Sequence, residues 1–278
     1  MTRTLARRIA TLLFAALVAT ACAGGPGGTS AQRERLVVAE KLFAERCKKS
    51  GVFIHRTAEN VEGIFLMKQR GDRINYGDQY LMDDPYGADV SGDGYVVNFL
   101  LGRNARGSLV EQNSVKLGYR YVEAIDPKDG QRYRYTGSVK VVGKADTSAP
   151  GVKLALQVNP NHNLNIYAFV LDKVPAPGAM PRYGVTYDDI STREERDYWI
   201  AGSSLRVIDL QTNEVMAERI GYMMDRGQGS TGGGRSPWLF AADHACPAFG
   251  LAPAATAQIN QTEKFVESVL IPSVEKSE

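Results

Sequence analysis

The chain has 278 residues, 44% hydrophobic and 23% charged, an ordinary globular composition with enough apolar residues for one large domain or two small ones. Its 33 Lys and Arg stand against 31 Asp and Glu, a formal net charge of +2, so no broad positive field marks it for nucleic acid. After the N-terminus no apolar run reaches the roughly 18 to 20 residues of a bilayer span, which excludes a helical membrane protein from the reading of the body.

The first residues read as an address. Arg3, Arg7 and Arg8 precede the apolar stretch Ile9–Val18, and the small residues Ala19, Thr20 and Ala21 follow it. Charge, short apolar run and small residues are the three parts of a secretory signal peptide, assigned to residues 1–21. The Arg7-Arg8 pair lacks the polar and aromatic company of a twin-arginine signal, so the general export route is expected. The tract Ala23-Gly-Gly-Pro-Gly-Gly-Thr-Ser30 cannot pack and reads, with Cys22, as a flexible tether over residues 22–30.

Ala19-Thr20-Ala21-Cys22 resembles the lipobox of bacterial lipoproteins, with Ala19 where that class usually has Leu. The resemblance implies lipid on Cys22, which becomes the mature N-terminus, and Ala23 at the next position implies sorting to the outer membrane, facing the periplasm. The other reading is plain cleavage after Ala21 or Ala23, giving a soluble periplasmic protein. The chain has three cysteines, and an odd number in an exported protein needs a use for the spare one. Lipid on Cys22 leaves Cys47 and Cys246 to pair, as exported compartments favour; two buried free thiols are the alternative.

Residues 31–278 read as one α+β domain, a mainly antiparallel sheet with helices near both ends of the mature chain. Ser30–Lys49 has a helical stripe containing Leu36, Val37, Phe43 and Ala44, with Gly51 placed to end it. Period-2 patterning then predicts strands at Val52–Arg56 and Gly63–Lys68, and Tyr95–Leu101 is a further apolar run between loops. Three hairpins are expected: Tyr119–Ile125 with Gln131–Thr136, Lys153–Val158 with Leu164–Lys173, and Trp199–Leu210 with Val215–Met224. Val174–Pro181 is proline-rich and reads as a long surface loop. Helices are expected over Ser236–Cys246, with Pro237 at the first helical position, and over Thr262–Leu270.

Candidate chemistry is sparse. The run Gly227-Gln-Gly-Ser-Thr-Gly-Gly-Gly-Arg-Ser236 contains both GxGxxG and GxxxxG-Arg-Ser spacings, which expose backbone N–H groups to phosphate. Arg235 stands where a lysine should reach the phosphates, and no parallel βαβ unit surrounds the run, so a mobile surface loop is expected, with Arg235 a candidate for anion binding. Asp89, Ser91 and Asp93, followed by Gly94, resemble the first half of a calcium loop; Leu100 occupies the position of the bidentate Glu, and Asp83 and Asp84 are the other oxygen donors at hand. No other cofactor is expected.

His55, His162 and His244 lack metal-ligand spacing, and the nearest run to a GxSxG elbow begins with Gln228. Tyr119, Tyr121, Tyr133 and Tyr135 alternate with Arg120, Arg132 and Arg134, so period 2 places tyrosines on one face of a hairpin and arginines on the other. Such a surface stacks on glycan rings or pairs with anionic groups; structurally it supplies core tyrosines and solvated arginines. The expected function is a cell-envelope binding or accessory module, held to the membrane through its lipid, with an envelope protein or a glycan as partner. The alternatives are an exported hydrolase using His244 or His55 and an immunity protein against an envelope-active toxin.

Overall fold

The computed structural model describes residues 30–81, 89–102, 118–249 and 257–273. The expected signal, Cys22, Asp83, Asp84 and most of the expected tether lie outside the described residues. The described residues fall into two units, divided between Val38 and Ala39. Helix α1 (Ser30–Cys47) covers the boundary; its described part in the first unit exposes Val37 and Val38. In the second unit the helix buries Ala39 and Phe43, one turn apart. The expected stripe is thus corrected to Ala39 and Phe43.

The second unit is α+β, with a large, mainly antiparallel mixed sheet. Its elements in chain order are β1 (Gly51–Ile54), β2 (Ala58–Val61), β3 (Gly63–Leu66), α2 (Asp93–Leu101), β4 (Tyr121–Ile125), β5 (Arg132–Lys144) and α3 (Pro150–Val158). There follow β6 (Asn165–Pro175), β7 (Tyr183–Asp189), α4 (Arg193–Asp197), β8 (Ile200–Asp209), β9 (Glu214–Met224), α5 (Pro237–Ala241), β10 (Ala245–Cys246), α6 (Ala257–Val269) and β11 (Leu270–Pro272). Sheet order is β1-β9-β8-β7-β3-β4-β5-β6, with β10 also paired to β9; β2 and β11 form a separate parallel pair. Within the large sheet the parallel pairings among the described residues are those of β3, with β4 on one side and β7 on the other.

That parallel step dictates the layers. A strand cannot reach a parallel neighbour by a tight turn, so the chain leaves the sheet between β3 and β4 and carries α2 over one face. Tyr95, Val96, Phe99 and Leu100 of α2 and Ile259, Phe265, Val266 and Val269 of α6 are buried there with Ile64, Leu66, Val122, Ala124, Val185, Leu205 and Val207. The apolar run from Tyr95 is therefore helical, and its buried residues recur at helical spacing. Tyr119 locks the layer by donating its hydroxyl to the Leu270 carbonyl at 2.6 Å in a buried site.

The first and third hairpins form as expected, and the second does not. Strand β5 continues past Thr136 to Lys144 and pairs with β6 along its whole length, while Lys153–Val158 falls in helix α3. Pro150 at the start of α3 fixes a helical φ and ends the extended run, so the partner of β6 comes from the stretch before it. Strand β7 is an element that the period-2 pattern does not predict, and Val174 and Pro175 finish β6 rather than open a loop. Helix α5 stops at Ala241; Ala245 and Cys246 instead pair with Met223 and Tyr222 of β9. Helix α6 begins at Ala257, five residues earlier than predicted, where Ile259 N donates to the Asp89 carboxylate at 2.8 Å.

Cys47 and Cys246 form a disulfide across 199 residues of sequence, tying the end of α1 to β10. In the chain-entropy account a closure of that length stabilises by about 5 kcal/mol. At the far end of β8, the buried Asp209 carboxylate accepts from Arg182 at 2.8 Å and from Arg56 at 2.8 Å. The Arg182 guanidinium holds the Asp209 carboxyl well below the usual carboxylate range, outweighing the burial that pushes it up, with Arg56 adding to the effect.

Two outcomes follow. The double substitution Cys47→Ser/Cys246→Ser is expected to lower unfolding free energy by up to about 5 kcal/mol in denaturant titration, and reduction should do the same to the wild type. Asp209 has a folded pKa below its unfolded value of about 3.9, so its contribution is complete above that value and fades as pH falls below it. Denaturation midpoints measured from pH 6 to pH 2 should therefore fall more gently in Asp209→Asn than in wild type, from a lower starting stability.

Candidate functional site

Strand parity separates the residues of the Tyr/Arg hairpin. Tyr135 lies opposite Val122 and Tyr133 opposite Ala124, on the face that α2 and α6 cover. Arg134 lies opposite Glu123 and Arg132 opposite Ile125, on the other face, which Tyr121 shares. The expectation that all four tyrosines share a face is thus corrected. The turn registers odd residues of β4 against even residues of β5, so tyrosines at odd positions in both strands part company. Tyr119 precedes β4 and is buried in the core.

On the second face Tyr121, Glu123, Arg132 and Arg134 form one assembly. The Glu123 side chain is fully buried. Its Oε1 accepts from Arg134 Nε at 2.8 Å and lies 2.7 Å from Arg134 Nη2, while its Oε2 is 3.4 Å from Arg132 Nε. Arg132 also donates through Nη2 to the Gly178 carbonyl, and the Arg134 guanidinium sits 3.9 Å from the centroid of the Tyr121 ring. The ring can lie flat because residue 63, beside it on β3, is glycine: a Cβ there would be 2.2 Å from the ring. Gly63, Tyr121 and Arg134 thus stack in order from the sheet outward.

The assembly carries two cations on one carboxylate. Arg132 and Arg134 are about one quarter exposed, and the Nη1 group of each meets no acceptor among the described residues. Guanidinium donors held in a fixed plane suit a carboxylate or phosphate oxygen, and the partly exposed edge of Tyr121 suits a sugar ring or methylene surface. Sequence reasoning found the arginines and Tyr121 and missed Glu123. Its signal was an acid between apolar residues in Tyr121-Val-Glu-Ala-Ile125, opposite an arginine in the adjoining run.

The remaining candidates are engaged elsewhere. Arg235 pairs with Asp225, whose side chain is fully buried, and donates to the Ser230 carbonyl at 3.0 Å. The Asp225 carboxylate also accepts from Gly227 N at 2.9 Å and Gly229 N at 2.8 Å. The glycine loop thus does cradle an anion, and the anion is its own aspartate. The expectation of a mobile loop is corrected to one fastened from beneath, with Gly229 at φ +83° pressed on the Trp199 indole. Asp89 caps α6 and lies 3.8 Å from Arg70, while Asp93 begins α2. Among the described residues no group of three His, Cys, Asp or Glu side chains is placed to hold a metal ion.

His244 Nε2 is 3.2 Å from a Glu40 carboxylate oxygen and its ring packs on Phe43, but among the described residues no hydroxyl or free thiol hydrogen-bonds it. Cys246, two residues on, is consumed in the disulfide. His162 occupies an exposed turn after α3, and His55 is an exposed residue just after β1.

No protein-family model, curated protein or solved structure matches the chain.

Two glycines give the site its sharpest tests. Gly63→Ala should displace Tyr121 from its place beneath Arg134 and cost about 1 to 3 kcal/mol, read as a lowered denaturation midpoint. Gly229→Ala, with a Cβ 2.4 Å from the Trp199 ring at a positive φ, is expected to destabilise by a similar amount and to alter Trp fluorescence, whereas Gly233→Ala, which meets nothing within 4 Å, should cost only its backbone strain.

Proposed function

We propose that this protein is an exported cell-envelope binding module, anchored through lipid on Cys22, whose open sheet face takes an anionic partner at Tyr121, Arg132 and Arg134. The observation that carries the reading is the pair of arginines sharing one buried carboxylate, each with a donor group left over. Two cations on one carboxylate leave a net positive charge on a preorganised surface, which favours an incoming carboxylate or phosphate. Export is supported by the Cys47–Cys246 disulfide, which leaves Cys22 as the spare cysteine beside the lipobox-like residues. The partner is an acidic glycan or an acidic protein of the envelope. Calcium at Asp89, Ser91 and Asp93 has no support in the geometry and forms no part of the proposal.

The test is retention of the purified full chain on isolated cell-wall sacculi and on immobilised detergent-solubilised envelope, comparing wild type with Arg132→Ala/Arg134→Ala. The double variant should lose most of the retention, and added salt should weaken the wild type toward it. Equal retention would remove the site from the reading. Turnover of an envelope substrate abolished by His244→Ala would favour the hydrolase instead, and a single tight stoichiometric protein partner the immunity role. For the anchor, Cys22→Ser should move the protein from the membrane to the soluble fraction, and intact mass of the native protein should show acyl chains on Cys22.

A further inference from the structure

Strands β5 and β6 outrun the sheet that supports them. Strand β4 pairs with β5 only over Arg132–Tyr135, whereas the β5–β6 ladder continues to Lys144 and Asn165. Phe169 and Leu171 still pack against the core; past them the β5–β6 ladder runs on beyond the reach of β4, with α3 in the connection between its strands. This arm is apolar where it should be wet: Val141 is 52% exposed, Val142 55%, Leu154 62%, Val158 82% and Ile166 47%.

Helix α3 makes the anomaly sharper. No residue of its sequence Pro-Gly-Val-Lys-Leu-Ala-Leu-Gln-Val is buried. Val152, Ala155 and Leu156 are half-buried, while Leu154 and Val158, one turn apart, face solvent. A helix apolar on two sides is stable in water only when both are covered, and here one is. The charge is one-sided as well. From Ser138 to Val170 the chain has Lys140, Lys144 and Lys153 against the single acid Asp146, and the exposed Asp172 just beyond lies 3.9 Å from Lys140. Asp146 is turned inward on its own loop, accepting from Ser148 N at 2.7 Å and Ser148 Oγ at 2.8 Å.

We infer that the tip of the β5–α3–β6 arm docks on an anionic lipid bilayer, with Leu154, Val158, Val141, Val142 and Ile166 entering the headgroup boundary and Lys140, Lys144 and Lys153 meeting lipid phosphates. Apolar side chains ringed by lysines on a projecting element are the chemistry of interfacial membrane contact. Charge complementarity selects this occupant over a second copy of the chain, because two tips brought together would oppose lysine to lysine. The docking is independent of acylation at Cys22 and of the arginine site.

The experiment is flotation of the full chain carrying Cys22→Ser with vesicles of phosphatidylcholine alone and of phosphatidylcholine with phosphatidylglycerol. Binding should require the anionic lipid. Lys140→Gln/Lys144→Gln/Lys153→Gln should weaken it about a hundredfold, in line with the gain per basic residue at a charged surface. Leu154→Ser/Val158→Ser should weaken it about tenfold. Both sets lie outside the core, so unchanged circular dichroism certifies the fold. Equal flotation of the variants and the parent would overturn the inference, as would equal binding to neutral vesicles. So would a dimer in light scattering that dissociates in the Leu154/Val158 variant, which would assign the tip to a second copy. Failure of Cys22 acylation, read by mass, would leave all these outcomes readable.

Discussion

Strand β3 has a parallel neighbour on each side, and much of the molecule is a consequence of that pairing. A parallel step requires the chain to leave the sheet and return from the far end, and the right-handed rule sends the crossover over one face. With α2 and α6 filling that face, the apolar residues at alternate positions of β3, β4, β7 and β8 find their cover in a single core. The opposite face receives the other alternate set, including Tyr121, Glu123, Arg132 and Arg134. An antiparallel order would have allowed tight turns throughout and demanded no helix over either face.

Buried carboxylates recur as organisers. Asp209 gathers Arg182 and Arg56, Asp225 gathers Arg235 and two glycine amides, and Glu195 closes a capping box with Thr192 while pairing with Arg46. They fix the end of β8, the glycine loop, and α1 near its disulfide. A buried carboxylate stripped of its cations would be strongly destabilising, so these groups specify one arrangement even where their net stabilisation is modest. Glu123 obeys the same logic: like Asp209 it holds two arginines, but among the described residues no second carboxylate shares them as Glu214 shares Arg56, and the Tyr121 ring lies against one of them.

The Glu123 assembly and the tip of the β5–β6 arm differ in kind. The Glu123 assembly is preorganised: ring, guanidinium and carboxylate are stacked and bonded before any partner arrives, which lowers the entropy lost on binding. The β5–β6 arm offers reach and apolar area with few fixed polar groups, which suits a fluid surface better than a shaped one. Both descend from the length of β5, whose first four residues pair with β4 and whose remainder runs on with β6.

The sequence by itself determined the class of fold, the first and third hairpins, the pairing of Cys47 with Cys246 and the arginines of the outer face. These features follow from local spacing, turn residues and a cysteine count, all of which operate within a few residues or on a short list. Tertiary structure decided the rest. Tyr95–Leu101 has a run of apolar residues too short to reveal its period, and only the crossover made it a helix. Lys153–Val158 has strand-like composition, yet β6 took its partner from before Pro150 because the long ladder with β5 offered more hydrogen bonds and side-chain pairs. The glycine loop matched two phosphate motifs, and the anion that fills it is Asp225, two residues before its first glycine. Whether Tyr121 faced core or arginine depended on hairpin register, which a one-residue shift inverts and which the pattern of alternating Tyr and Arg leaves open.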